Sequence, residues 1–282
     1  MRNRLTREVP PGTCLEDATQ AARLFVGRRF PNCVAAVLFG SVARGDSSNS
    51  SDLDILIIER KRVRAYHHHF QENGWCFDVM ARSQSFCTKR LNNQRWQHRD
   101  PDEVLLTACA DGIELKDDRG IIRALSTKAK GILDTGPDPL SANDILRYRS
   151  EITEALDDFV DAKSHAEARF VAHQTTILAS RLLLGYNRRW SNEEPKWVYR
   201  NINNYNHELA RELLNGLDRY WRTDDRAELA GPIESILNLV GGKLYRDEVD
   251  SVAYPSTIVE QFVRHPIHFM RKAVPRLRRA LS

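Results

Sequence analysis

No stretch of the 282-residue sequence approaches the roughly 20 consecutive apolar residues that a membrane-spanning helix needs. The opening MRNRLTREVPPG also lacks the apolar segment of a secretory leader, so the expected location is the cytoplasm and no membrane partner is expected. Cysteine is scarce. Cys14, Cys33, Cys76, Cys87 and Cys109 are five, an odd number with no CxxC pair, which argues against both a disulfide framework and a zinc cluster and leaves them as reduced packing residues. There is no internal repeat and no low-complexity segment. The net charge of +4 is too small to indicate a nucleic-acid binder by itself. What is present is an ordinary soluble composition, 41% hydrophobic and 28% charged, on a chain long enough to bury two cores.

The charge is unevenly placed. Arg264 to Arg279 carries six basic residues and no acid, whereas Asp144 to Asp161 carries six acids against two arginines. The most informative stretch lies elsewhere, at VLFGSVARGDSSNSSDLDILII, Val37 to Ile58. Cys33–Phe39 and Leu53–Ile58 are short apolar, largely β-branched runs bounded by turn residues, the pattern of buried strands. Gly40 and Ser41 end the first strand. A short helical turn through Arg44 would present free backbone N–H groups and the Ser41 hydroxyl to a phosphate, and Gly45 stops it. Asp52 and Asp54 stand two apart at the start of the second strand, so both carboxylates share one face. Paired hard oxygen ligands of this kind suit Mg²⁺ bound together with substrate phosphates.

Taken in order, GSVARG, five intervening residues and SDLD resemble the Gly-Ser-x-Ala-Arg-Gly and Ser-Asp-x-Asp signature of the polymerase-β-like nucleotidyltransferases. The resemblance implies a donor nucleoside triphosphate, most often ATP, and two Mg²⁺ ions. It also implies a third carboxylate on a neighbouring strand. A hairpin follows at RAYHHHFQENGWCFDVMAR, where Asn73-Gly74 is the turn. A two-residue loop there pairs Glu72 with Trp75, Phe70 with Phe77 and His69 with Asp78. It sets His67, His69, Cys76, Asp78 and Met80 on one face and Phe70, Phe77 and Val79 on the other. Asp78 is thus the position matching the third ligand. The adjacent histidines 67 to 69 alternate between faces and cannot all reach one ion, so they read as structural, with His69 a supporting partner of Asp78.

Helices are expected over Leu15–Arg29, Ser85–Trp96, Asp102–Ala110 and Ile121–Ile132, with a short strand over Gly112–Lys116. TGPDPLSAND, Thr135 to Asp144, is the best boundary, and its Ser141–Asp144 pattern starts a helix. After it come apolar stripes at helical spacing. One is Ile145, Tyr148, Ile152, Ala155 and Phe159. A second runs from Val171 to a stop at Gly185, a third spans Leu209–Tyr220 and a fourth Leu229–Val240, and a last helix is expected over Ser256–Met270. The expected fold is therefore α+β: a small mixed-sheet domain over residues 1–135 and an all-α bundle over 140–282.

The order and length of the two parts resemble the aminoglycoside adenylyltransferases of the kanamycin nucleotidyltransferase type, in which an acid near the start of the helical domain acts as general base. That resemblance implies Glu154 as the base, with Glu151 and Asp158 close to it on the same helix, although a solvated acidic face is the plainer reading. The aromatic and basic stretch RRWSNEEPKWVYRN, Arg188 to Asn201, offers Lys196 or Arg200 to a triphosphate, or else a loop core filled by Trp190 and Trp197. Three readings of the acceptor stay open: a small hydroxyl-bearing polycation such as an aminoglycoside antibiotic, a tRNA or protein modified by a toxin-like transferase, or none at all in a catalytically silent antitoxin or nucleotide sensor.

Overall fold

A computed structural model of the protein describes residues 14–46, 51–60, 65–93, 95–192, 194–205 and 207–245. The described residues up to Lys243 belong to one compact unit, and Leu244 opens a second. The basic stretch Arg264–Arg279 and the helix expected over Ser256–Met270 lie outside the described residues.

The chain begins with α1 (Leu15–Arg29), β1 (Ala35–Phe39), the single turn α2 (Gly40–Ala43), β2 (Leu53–Glu59), β3 (Tyr66–Glu72) and β4 (Trp75–Ser83). It continues through α3 (Gln84–Asn92), α4 (Glu103–Asp111), β5 (Ile113–Asp117) and α5 (Ile121–Thr135). Helices then follow one another as α6 (Ala142–Asp161), α7 (His165–Tyr186), α8 (Pro195–Asn204), α9 (Glu208–Thr223) and α10 (Ala227–Asn238). The five strands form one mixed sheet in the order β3-β4-β2-β1-β5, with β2 and β4 parallel and the other pairs antiparallel.

Both faces of this sheet are covered, which is why β1 and β2 are continuous apolar runs rather than alternating ones. Ala36, Leu38, Ile55 and Ile57 pack toward α1 with Phe25 and Val26. Ala35, Val37, Leu56 and Ile58 pack toward α3, α4 and α5. On the α1 side, Phe25 stacks on Phe77 of β4 at 4.0 Å and meets the edge of Phe70 on β3 at 5.4 Å. Arg28 and Arg29 at the end of α1 pair with Glu72, at 2.5 Å and 3.1 Å, and so tie that helix to the hairpin. The hairpin has the expected register, with Glu72 opposite Trp75 and His69 opposite Asp78. Asn73 and Gly74 both take positive φ, at 52° and 81°, as a two-residue turn demands.

The helical part has a separate core built on Tyr148, Ile152, Leu156, Phe159, Leu183, Leu213 and Ile233 among others. Ser141 caps α6 as expected: its hydroxyl accepts from Asp144 N at 3.1 Å while Asp144 Oδ2 accepts from Ser141 N at 3.4 Å. Among the described residues no strand follows β5. All five cysteines are free thiols.

Three boundaries differ from the sequence expectation. The helix expected over Ser85–Trp96 stops at Asn92. Beyond it the chain is organised by one side chain: Arg90 pairs with Asp100 at 2.5 Å and Asp102 at 2.9 Å and lies 3.4 Å over the Trp96 ring. Gly185 does not end α7, which continues to Tyr186. A Cβ there would come within 3.0 Å of His98 Cδ2 and Leu140 Cδ2, so the missing side chain serves close packing instead of termination. The stretch Arg188–Asn201, expected as a loop core or a phosphate-facing segment, includes the start of α8, entered through Pro195 in its first turn.

The Gly185 contact belongs to a polar seam between the sheet part and the helices. His98 Nε2 shares a 2.8 Å hydrogen bond with Tyr148 Oη on α6, and the His98 carbonyl accepts from Ser191 N at 2.9 Å. Asp138 N donates to the Trp96 carbonyl at 2.7 Å. Burial, with Arg99 adding to it, pushes His98 down to about 4, so the ring is neutral at physiological pH and can share a proton with Tyr148 at no charging cost.

Gly112, between α4 and β5, tests the packing of the sheet face beneath α4. A Cβ at that position would meet Val37 Cγ1 at 2.1 Å and the Ala108 carbonyl oxygen at 2.4 Å. Gly112→Ala is expected to cost about 1–3 kcal/mol by overpacking, seen as a lower midpoint in chemical denaturation. An unchanged midpoint would contradict this geometry.

Candidate active site

The sheet face formed by Leu56, Ile58 and Met80 changes character at the N-terminal ends of β2 and β4, where the next residues of the same parity are Asp54 and Asp78. Parallel pairing sets these two directly across from one another. Asp52, two residues before Asp54, is half-buried at the mouth of the same strand. On the other side of Asp54 lies Phe39, the last residue of β1, after which the chain turns sharply at Gly40.

That turn is possible only with glycine, for two reasons. Its φ is +79°, and a Cβ would stand 1.8 Å from Asp54 Oδ2. The carboxylate occupies the space a side chain would fill. Ser41 follows, its hydroxyl donating to Ser51 Oγ at 3.3 Å and so fastening α2 to the segment carrying Asp52. Gly45 ends the turn at φ +77°.

Three acids so placed repel one another. Burial pushes Asp54 up to about 7, and the charges of Asp78 and Asp52 add to the rise; Arg44 and Lys196 oppose it. Asp78 is coupled on its other side to the hairpin. Its Oδ1 is buried, accepts no well-formed hydrogen bond, contacts His67 Nε2 and lies 3.6 Å from His69 Nδ1.

The positive charge comes partly from the helical part. Trp197 on α8 collects three cations: Arg44 at 5.1 Å, Arg200 at 4.9 Å and Lys196 at 5.8 Å from the ring centroid. Arg44 comes from the end of α2, so this aromatic ring links the Gly-Ser turn to α8. Trp190 instead fills the loop core, edge-on to Trp96 at 6.1 Å.

The structure thus brings together Asp52, Asp54, Asp78, Gly40, Ser41, Arg44 and Lys196. Glu154 sits half-buried on α6 with interactions of its own, as do Glu151 and Asp158, and none of the three is among the charges acting on Asp54. Trp197 as a cation platform and His67 as a neighbour of Asp78 were not anticipated. For His67 the signal was available, because the hairpin register already put it on the Asp78 face.

The donor set fits a divalent cation of the Mg²⁺ class: hard carboxylate oxygens, one of them so buried and so close to the other acids that it resists ionisation. Residues 21–128 match the family described as nucleotidyltransferase domain. A search of solved structures finds similarity to a nucleotidyltransferase-like protein from Exiguobacterium sibiricum 255-15, at 13% identity and a TM-score of 0.41 over 92% of this chain and 89% of that one. No curated protein sequence matches.

The raised Asp54 gives a pH signature with a definite sign. In the metal-free protein the folded state keeps this proton to higher pH than the unfolded state, so the contribution to stability is full below the ordinary carboxylate range and is lost as pH rises toward about 7. A bound dication reverses the trend, because only the ionised carboxylate ligates it. Thermal unfolding with and without Mg²⁺ should show stabilisation growing from pH 5.5 to pH 7.5 and levelling above, and Asp54→Asn should abolish the growth. Gly40→Ala, which displaces Asp54, should weaken the Mg²⁺ effect at every pH. Equal stabilisation across that range would contradict the assignment.

Proposed function

The chain carries a nucleotidyltransferase domain over residues 21–128, and from that premise we propose that it moves a nucleoside monophosphate, AMP from ATP, onto a hydroxyl with release of pyrophosphate. The observation that carries this reading is Asp54 wedged between Asp52, Asp78 and the bare Cα of Gly40. The domain division proposed is residues 1–135 for the nucleotidyltransferase part and 140–282 for the helical part.

Asp52, Asp54 and Asp78 would hold the divalent ions, which when bound neutralise charge on the attacking and leaving oxygens. Gly40, Ser41 and the backbone N–H groups after them cradle the β and γ phosphates. Arg44 and Lys196 balance the charge of the triphosphate, and Trp197 positions both. The acceptor oxygen bonds to the α-phosphorus while the α–β bridging bond breaks, and the acceptor proton passes to a carboxylate. Catalysis of this kind is mostly positioning and charge stabilisation, which suits a site built of fixed acids.

For the acceptor we propose a small polycation such as an aminoglycoside. The acids Glu151, Glu154 and Asp158 on α6 are half-buried instead of fully solvated, as a cation-binding wall requires, and Glu154 is the proposed base. A second reading, a transferase acting on tRNA or on a protein, draws on the basic run Arg264–Arg279. A catalytically silent antitoxin or nucleotide sensor would need no metal carboxylates, whereas all three are present.

Incubation with each labelled nucleoside triphosphate against an aminoglycoside panel, total tRNA and cell extract separates these readings. Transfer should require a divalent ion. Asp52→Asn or Asp54→Asn should abolish it with the fold intact, and Asp78→Ala should lower it by about 100-fold or more. Lys196→Ala should raise KM for the donor more than it lowers kcat. Full activity in chelator would sink the proposal, and transfer to tRNA alone, steeply salt-dependent, would move it to the second reading.

A further inference from the structure

His67 and His69 stand two apart on β3, the exposed edge strand of the sheet, so both imidazoles lie on the face that carries Asp78 across the hairpin. Their side chains are 62% and 71% exposed, that of Asp78 only 20%. One ligand atom from each residue lies within 4.8 Å of the other two. The imidazole centroids are 5.3 Å apart, and both rings address the same oxygen, Asp78 Oδ1. A single histidine would suffice to orient a carboxylate by hydrogen bonding. The second imidazole on that oxygen is redundant for orientation, but it supplies what a metal needs.

We propose that the β3–β4 hairpin binds one transition-metal ion of the Zn²⁺ class through His67, His69 and Asp78, and that this ion, by engaging Asp78, down-regulates the neighbouring site. Two imidazoles and one carboxylate are a borderline donor set that takes Zn²⁺ or Co²⁺, whereas Mg²⁺ keeps to oxygen ligands. Around a tetrahedral ion with bonds of about 2.0 Å, ligand atoms stand roughly 3.3 Å apart. Small χ rotations of two solvent-exposed histidines close the remaining distance, and the three protein ligands leave a coordination position for water. His68 points to the opposite face and takes no part. The down-regulation rests on the reading of Asp78 as part of the catalytic centre; the ion site itself does not.

The test uses the full chain in millimolar Mg²⁺. Co²⁺ absorption and calorimetric titration with Zn²⁺ should report one bound ion, with affinity falling at least about tenfold in His67→Ala and in His69→Ala and unchanged in His68→Ala. Because the first two side chains are exposed, unfolding is not expected, and circular dichroism checks it. Zn²⁺ should also inhibit transfer in the wild type, with an inhibition constant at least about tenfold weaker in each of those two variants relative to its own basal rate. Binding that survives both substitutions, or that Mg²⁺ abolishes, overturns the site. Binding that follows the histidines without inhibiting transfer overturns the regulatory half alone. If no transfer is found under any condition, the functional reading fails while the titration still decides the metal site.

Discussion

Asp54 and Asp78, two like charges, face one another across a parallel strand pair, and much of the surrounding structure follows from making that tolerable. Burial, with the charges of Asp78 and Asp52 adding to it, leaves Asp54 holding its proton up to about neutrality. A chain selected only for stability would place an apolar pair there, continuing Leu56 and Met80. Instead Gly40 gives up its side chain so that Asp54 has room, and Arg44 and Lys196 arrive from two separate elements to offset the charge. The arrangement is relieved when something positive is bound, as the proposed metal-dependent reaction would require.

The scaffold that bears this load is covered on both faces. With α1 on one side and α3, α4 and α5 on the other, β2 and β4 cannot shift register without exposing a whole row of apolar side chains, so the carboxylates they carry are fixed in position. The helical part is joined to it by a seam that includes His98 with Tyr148, Ser191 with His98 and Asp138 with Trp96.

Features that depend on short-range chemistry were legible in the sequence. Asn73-Gly74 dictated a two-residue turn and the turn dictated the register that sets Asp78 opposite His69, whereas the pairing of β4 with β2 that brings Asp78 to Asp54 was implied only by the family resemblance. The mixed sheet, the Ser141 cap and the order of strands and helices followed from period and punctuation in the same way. Features that depend on what a residue meets in three dimensions were not. Gly185 looks like a helix stop until His98 and Leu140 are seen against it. Trp96 looks helical until Arg90 claims its ring. The aromatic and basic residues of the segment Arg188–Asn201 obscure the buried pair Val198 and Ile202 that seats α8, with Lys196 and Arg200 lying against the Trp197 ring.

The position of α8 has a consequence for how such a protein can be rearranged. The ring that gathers Arg44, and the lysine that offsets Asp54, are separated from the sheet part by more than fifty residues of chain. Cut off after α5, the sheet part would keep every acid of the site and lose Lys196 and the platform on which Arg44 rests. It would be a reservoir of negative charge with half its counterweight gone. The two parts are therefore not interchangeable cassettes: grafting this sheet part onto another helical partner would succeed only where the new partner presents an aromatic flanked by cations at the same place.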